Sequence, residues 1–544
     1  MSRRARIVLS GLTMFLAAST VASRPRDLAL RRVVLELPGP PASVVPADLN
    51  HDGRLDLLVV VAYTRWGSIS TDRVEDAIAV TQVVPALFDV REARAFLATP
   101  EGGYRAAGPP LALPTSVLST EPGTREHPVV ALTDDGLSEL RLVSTPEGDR
   151  LTLEPLFDEP SAFAESGAIL PDLSIVEDVD GDGAPDALIP GRDGLRVHRG
   201  AGGAFEAAAA FAERLPGDRQ STRYGAASRS VPLPRVEDVD GDGKSDLLVA
   251  ALDAPPPSIT IARGLGGGRF AAPRTIELGC LLAVPSTGTS PSTPAEQRSV
   301  AYAGDLDGDG RLELVTRESV DTGKSDMKQA KRPLMRYRLH HLRADLTPDP
   351  TPYGTFDAEG WGFSGAFRDG VDLRFIDLDG DKRKDLVTIT LDFSMFQALR
   401  ALTAKKVSVG LEFHVIAQRP DGSFRLVPDQ KLDETLHLDL NRLEISRLGQ
   451  FQGDFDGDGR IDFVHLGRGK TVTIHRGQPG GRYAEKPDLS VTLEEEPEDV
   501  MLVRVRDLDG DGRSDLTITR TLAPREAGAT APANLELLLS GEGR

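Results

Sequence analysis

The run Asp178-Val179-Asp180-Gly181-Asp182-Gly183, followed by Asp186, places carboxylates at the first, third, fifth and ninth positions of one short segment. Oxygen-bearing side chains at that spacing, on a backbone that glycine lets turn back on itself, can wrap one hard cation, and such an all-oxygen set favours calcium. The pattern recurs. Seven loops open at Asp48, Asp178, Asp238, Asp305, Asp377, Asp454 and Asp507. With a degenerate copy over 131–139 counted, they start about 50 to 80 residues apart, the spacing of a repeat architecture and not of paired binding hands.

In chain order the expected side-chain ligands are Asp48, Asn50, Asp52 and Asp56; Asp178, Asp180, Asp182 and Asp186; Asp238, Asp240, Asp242 and Asp246; Asp305, Asp307, Asp309 and Glu313; Asp377, Asp379, Asp381 and Asp385; Asp454, Asp456, Asp458 and Asp462; Asp507, Asp509, Asp511 and Asp515. The seventh position adds a backbone carbonyl, from Arg54, Ala184, Lys244, Arg311, Arg383, Arg460 and Arg513. About seven structural Ca²⁺ ions are therefore expected. The second position is always apolar (Leu49, Val179, Val239, Leu306, Leu378, Phe455, Leu508) and should point into a core. An EF-hand would need a bidentate Glu at position twelve, where this chain has Val59, Ile189, Val249, Thr316, Thr388, His465 and Ile518.

The copies are unequal. Asn50 removes one charge from the first loop, and Lys382 stands where the fifth loop needs a positive φ, at about 1 kcal/mol. Those two loops should bind metal more weakly than the loops at Asp178, Asp238, Asp454 and Asp507, with the Glu313 loop intermediate. In the copy over 131–139, Thr133, Asp135, Gly136 and Glu139 fit the pattern, but Ala131 replaces the first ligand. That copy should keep a turn and lose the metal.

Each loop runs into a short β-rich stretch, such as Leu57-Leu58-Val59-Val60 or Leu386-Val387-Thr388-Ile389. Further on come strand, Gly-rich turn and strand, as at 96–104, 197–205, 261–270, 417–424 and 475–483, which read as β-hairpins. Loop, strand and hairpin make a four-stranded blade once the strand leading into the next loop is counted. After the last loop the chain lacks one strand, and Arg32-Val33-Val34-Leu35-Glu36-Leu37 lies unassigned before the first loop. That orphan strand should complete the blade containing Asp507 and close the ring.

On these loops the chain resembles the FG-GAP and VCBS repeat proteins, whose repeats also build the integrin α-subunit head. The resemblance extends over nearly all of 24–544 and implies an all-β fold, a calcium-binding β-propeller of eight blades, or seven if 131–139 is only an insertion. It implies a binding or adhesion module for a protein or surface glycan. A polysaccharide-active, lyase-like enzyme on the same scaffold is the alternative.

Arg3, Arg4 and Arg6 followed by the apolar run 7–22 read as a secretory signal peptide over 1–23, leaving one repeat domain over 24–544 and an exported, periplasmic or extracellular protein. No later stretch is apolar and long enough to span a membrane. One cysteine, Cys280, permits no internal disulfide, so metal and packing must hold the fold. The net charge of −20 is the wrong sign for nucleic acid. No His-Glu-x-x-His, Gly-x-Ser-x-Gly or phosphate loop occurs. His340 and His341, adjacent in a strand-like run, should face opposite ways and not share a metal. Trp66 and Trp361 are the only tryptophans, too few for a sugar-stacking site in every blade. Insertions at 71–94, 281–298 and 316–332 read as loops, and 392–406 as a short amphipathic helix.

Overall fold

A computed structural model describes residues 28–63, 90–282, 298–362, 375–392, 406–521 and 533–542, apart from breaks of five residues or fewer within these spans. The expected signal peptide, most of the 71–94 insertion, the bulk of 281–298, Trp66 and nearly all of the 392–406 helix lie outside the described residues. Among the described residues, no helix is long and apolar enough to cross a membrane.

Alternation builds the sheets. In the strand Leu334–His341, Met335, Tyr337 and Leu339 are buried. Arg336 and Arg338 face the other way and pair with Asp357 at 2.8 Å and Glu318 at 2.6 Å on the flanking strands. Eight antiparallel sheets of this kind stand in a ring as an eight-bladed β-propeller. Blade 1 runs Pro41–Ala47, Asp56–Tyr63, Val90–Ala98 and Tyr104–Ala112. Blades 3 to 8 carry the loops opening at Asp178, Asp238, Asp305, Asp377, Asp454 and Asp507 in turn, and Trp361–Gly362 and Glu444–Arg447 enlarge blade 6.

The core is a series of layers between neighbouring blades. Val45 and Leu58 of blade 1 pack with Val129 and Leu140 of blade 2, Leu118 and Val130 of blade 2 with Ala187 and Ile189 of blade 3, and Leu306 and Val315 of blade 5 with Leu386 and Ile416 of blade 6. Each blade is therefore stabilised by both neighbours, and the ring must close to bury its last faces.

It closes as the orphan strand predicts. Leu28–Leu37 pairs antiparallel with Ala533–Glu542, Val33 opposite Leu537 and Leu37 opposite Ala533, as the fourth strand of blade 8. Arg32 Nε donates to Glu536 Oε1 at 2.6 Å across this joint.

Three expectations change. The strand entering each loop pairs with the strand leaving it, Ala47 opposite Asp56, so the loop is the first turn of its own blade. In blade 1 the outer half of the hairpin is the fourth strand, whereas in blades 3 and 4 the Gly-rich hairpin is a separate two-stranded tip and the fourth strand, Phe211–Glu213 or Arg274–Glu277, follows it. Residues 131–139 are not a worn metal loop. They form a tight hairpin, Leu132 opposite Leu137 and Val130 opposite Glu139, between the second and third strands of blade 2. The connection equivalent to the acidic loops there is 123–128, which carries no run of carboxylates. The eighth blade exists, then, for a reason other than the one that counted it: a polar Asp134-Asp135-Gly136 turn between strands mimics half of a metal loop. Finally, 316–332 is not all loop, since it contains the end of the strand Glu313–Val320 and a short helix, Asp326–Lys331.

Candidate metal centres

Each loop starts from its buried second residue; Leu49, Val179, Val239, Leu306, Leu378, Phe455 and Leu508 are all buried. The backbone N–H of that residue donates to the carboxylate at position nine in all seven loops, for example Leu49 to Asp56 at 3.0 Å, Val179 to Asp186 at 2.9 Å and Phe455 to Asp462 at 2.8 Å. In six loops the other carboxylate oxygen accepts from an N–H at or just past the end of the third strand: Ala98 to Asp56, Gly200 to Asp186, Gly264 to Asp246, Gln418 to Asp385, Gly477 to Asp462 and Ser540 to Asp515, at 2.6 to 2.9 Å. Position nine thus staples the loop to the hairpin. The approach is so close that a Cβ at Gly200 or Gly264 would sit 2.1 Å from the carbonyl oxygen of Pro185 or Ser245, which explains the glycine of the Gly-rich turn. Burial pushes the Asp385, Asp462 and Asp515 carboxyls up to about 7.

Glu313 departs from this. Its Oε2 accepts from Leu306 N at 2.9 Å, but Oε1 is buried without a hydrogen-bond partner, 3.6 Å from His341 Nδ1. Burial pushes this carboxyl up to about 8. His341 is exposed and stacks on Tyr353, whereas His340 is buried and its Nδ1 lies 2.9 Å from the Asp349 carbonyl. The two histidines face opposite ways, as expected.

Position one shapes the turn. Asp178 accepts from Gly181 N at 2.8 Å and Gly183 N at 2.9 Å, and Asp238, Asp305, Asp454 and Asp507 repeat the pair of bonds. Position six has positive φ throughout, including Lys382 at 72°. Position four does too, and in the first loop it is His51 at 58°, a requirement missed in reading the sequence. The carboxylate at position five accepts from the N–H of position seven, as Asp182 from Ala184 at 2.8 Å, Asp309 from Arg311 at 2.9 Å and Asp511 from Arg513 at 2.9 Å. Where position seven is cationic its side chain can curl back onto the same carboxylate: Arg54 on Asp52, Lys244 on Asp242, Arg383 on Asp381, Arg460 on Asp458. The Lys244 ammonium and N–H hold Asp242 below the usual carboxylate range.

Carboxylate oxygens gather within 4.8 Å of one another in the sets Asp178, Asp180 and Asp186; Asp238, Asp240 and Asp246; Asp377, Asp379 and Asp381; Asp454, Asp456 and Asp462; and Asp305, Asp307, Asp309 and Glu313. Asp182, Asp242, Asp458 and Asp385 stand outside these sets. In the first loop the amide of Asn50 is bonded to Asp52 through both of its ends, at 3.0 Å each. Position three is the least satisfied: one oxygen each of Asp379, Asp456 and Asp509 is buried without a hydrogen-bond donor among the described residues. Burial first, then neighbouring carboxylates, raise Asp307, Asp456 and Asp509. Unpartnered buried oxygens among like charges fit a hard divalent cation, whose charge would satisfy them. In three blades an arginine from the hairpin supplies part of that charge: Arg199 to Asp180 at 3.3 Å, Arg263 to Asp240, and Arg476 to Asp456 at 3.3 Å.

The loops also touch one another. Leu312 N donates to Val239 O at 3.2 Å, Lys384 N to Leu306 O at 2.8 Å, Ile461 N to Leu378 O at 3.0 Å and Ser514 N to Asp454 O at 2.7 Å. Position eight of one loop is thereby tied to position one or two of the loop before it, from blade 4 through blade 8.

The FG-GAP-like repeat family matches residues 238–316 and 454–518. Each match runs from the first residue of one loop to the twelfth position of the next, so the repeat unit of the family is the loop-to-loop unit seen here. No curated protein matches the chain. Among solved structures it is similar to the crystal structure of a Lactobacillus plantarum protein, a structural-genomics target, with 10% identity and a TM-score of 0.28 over 72% of this chain and 84% of that one. With its loops and matched segments, the chain carries FG-GAP-like repeats at residues 238–316 and 454–518, set within an eight-bladed β-propeller.

Proposed function

We propose that the chain is an exported, calcium-loaded propeller that serves as a binding or adhesion module for a protein or surface glycan. The observation that carries this reading is the set of buried, donorless carboxylate oxygens at Asp379, Asp456 and Asp509, each in a loop already shaped round a single point. Calcium suits such loops better than magnesium, because it accepts a larger and less regular set of oxygens and dehydrates more readily. Extracellular calcium modules typically bind with Kd of roughly 10⁻⁴ to 10⁻³ M, so at ten times Kd each site would add about 1.4 kcal/mol. Several sites together rival the roughly 5–15 kcal/mol net stability of an ordinary domain. A ring stiffened in this way presents fixed loops and hairpins to a partner, and its acid surplus disfavours nucleic acid.

The test is thermal melting of the mature chain with calcium, with chelator and with magnesium, followed by capture on glycan arrays and from cell-surface extracts in calcium. Chelation is expected to lower the melting temperature sharply, magnesium to restore little of it, and capture to require calcium. Melting that is unchanged by chelation would remove the metal from this reading.

A further inference from the structure

A cleft of about 380 Å³ opens between blades 5 and 6, and none of its lining residues belongs to a metal loop. That volume lies within the range of small-molecule sites, roughly 300–1,000 Å³. Its wall combines Lys324, Arg332 and Lys431 with the His414 ring and the apolar side chains of Leu426 and Val427. In a chain of net charge −20, such a concentration of cations is local and built.

Two carboxylates hold Arg332, Lys431 and His414 in place. Glu412 Oε1 lies 2.6 Å from His414 Nε2, 2.8 Å from Lys431 Nζ and 3.5 Å from Arg332 Nη2, and Glu359 lies 3.4 Å from Arg332 Nη1. Glu412 lies deeper than the two cations it holds: its side chain is 20% exposed, against 40% for Arg332 and 46% for Lys431. Both contacts of Arg332 are longer than the 2.7–2.9 Å or so of a strong charge-assisted bond, so its planar fork of donors is largely unused. Lys324 makes no ion pair among the described residues. The His414 ring is 1% exposed, and its Nδ1 has no hydrogen-bond partner. The three permanent cations Lys324, Arg332 and Lys431 against the carboxylates of Glu359 and Glu412 leave a surplus of one positive charge. Leu426 and Val427, 57% and 73% exposed, place two apolar side chains beside it.

We propose that this cleft binds a small organic anion, one carboxylate carried beside an apolar or ring face, with the carboxylate on Lys324 and Arg332 and the apolar part over Leu426 and Val427. A single carboxylate matches the surplus of one charge, whereas a phosphate dianion would exceed it. The inference deepens the binding-module reading and rests on it.

The test titrates the calcium-loaded mature chain, by calorimetry, with glucuronate, an oligouronate of three residues and phenylpropionate, each beside its neutral counterpart. At least one carboxylate is expected to bind with Kd of about 1 mM or tighter, and its neutral counterpart at least about tenfold more weakly. Preference for the trimer over the monomer assigns the carboxylate to a polymer, and equal binding assigns it to a free small molecule. Lys324→Gln is expected to weaken binding about tenfold, and Val427→Ser severalfold, both without change in melting temperature, since neither side chain holds the fold. Failure of all three carboxylates to bind, equal binding of a neutral counterpart, or full binding by both variants would overturn the proposal. If calcium-dependent capture of a macromolecule persists after such a failure, the cleft alone is withdrawn.

Discussion

Ile461 and Leu378 belong to acidic loops in different blades, yet the Ile461 N–H donates to the Leu378 carbonyl at 3.0 Å. Leu378 N in turn donates to Asp385 of its own loop at 3.2 Å, so the two carboxylate sets share one hydrogen-bonded path. Ordering one loop fixes the acceptor or donor that the next loop needs.

Metal binding should therefore be coupled between neighbours. Asp456→Asn is expected to weaken the loop at Asp454 directly and the loop at Asp377 severalfold through this bond, while leaving the loop at Asp178 unchanged; coupling between contacting groups is of the order of 0.5–3 kcal/mol. Hydrogen exchange, followed loop by loop during a calcium titration, reads each midpoint separately. A midpoint at Asp377 that stays in place would mean the loops fill independently.

The arginines of the hairpins refine the expected ranking of sites. Arg263 pairs with Asp240 in a loop whose four aspartates otherwise place it among the strongest. A tethered guanidinium on position three competes with a free cation. Arg263→Gln is expected to lower the melting temperature of the calcium-free protein and to tighten calcium binding at this loop about two- to fivefold, in keeping with the up to ~1 kcal/mol of a half-exposed pair. Looser binding in the variant would show that Arg263 supports the metal-bound loop instead.

Glu121 offers a pH test remote from the loop carboxylates. Both its oxygens accept from Ile175 N at 3.1 Å, and burial pushes its carboxyl up to about 7 from an ordinary 4.5. The neutral form is favoured in the folded state. Below about pH 4.5 both states are protonated and no penalty arises; between 4.5 and 7 only the unfolded chain releases its proton, so stability falls as pH rises. The loss reaches about 3 kcal/mol and levels off above pH 7. Glu121→Gln keeps an acceptor for Ile175 and removes the titration. The difference between wild type and variant in urea unfolding at fixed calcium should grow by that amount from pH 5 to 8, and a difference flat with pH would refute it.

What the sequence displayed and what it hid divide along physical lines. The loops, their entry into strands, the buried second position and the closing strand were legible because each is a local pattern repeated: one carboxylate spacing, one apolar alternation, one unit too short. The requirement at His51 was hidden because six other loops satisfy it with glycine and only the backbone shows why. The 131–139 stretch was misread because turn residues between strands share their composition with a metal loop. The hairpin arginines each precede the glycine bonded to position nine (Arg199-Gly200, Arg263-Gly264, Arg476-Gly477), a local pattern whose meaning only the fold shows. The bonds between loops and the cleft at Lys324 and Arg332, by contrast, join residues from separate strands or blades, and no spacing along the chain announces them.

Lys382 and His51 hold the left-handed backbone where glycine serves elsewhere, at φ 72° and 58°. Each should cost about 1 kcal/mol. Lys382→Gly and His51→Gly are expected to raise stability by up to about that amount and to tighten calcium binding at their own loops. Denaturant unfolding in chelator separates the first effect from the second. Loss of stability in both variants would mean that their side chains contribute more than the backbone strain removes.

The closing strand sets the last prediction. Leu35 is 5% exposed and packs with Leu57 and Val59 of blade 1 and with Leu508, Leu535 and Leu537 of blade 8, while its neighbour Val34 points outward at 40% exposure. The strand is separated from its partner by most of the chain, so its pairing can form only when the other blades have brought the ends together. Truncating Leu35 removes contacts on both sides of the joint at once. Leu35→Ala is expected to cost about 2–5 kcal/mol and Val34→Ala less than about 0.5 kcal/mol, read by urea unfolding in calcium. Hydrogen exchange should show the excess opening in Leu35→Ala confined at first to Leu28–Leu37 and Ala533–Glu542. Equal, small effects of the two substitutions would mean that the ring is held by its loops and inter-blade layers, and that the joint contributes little to keeping it shut.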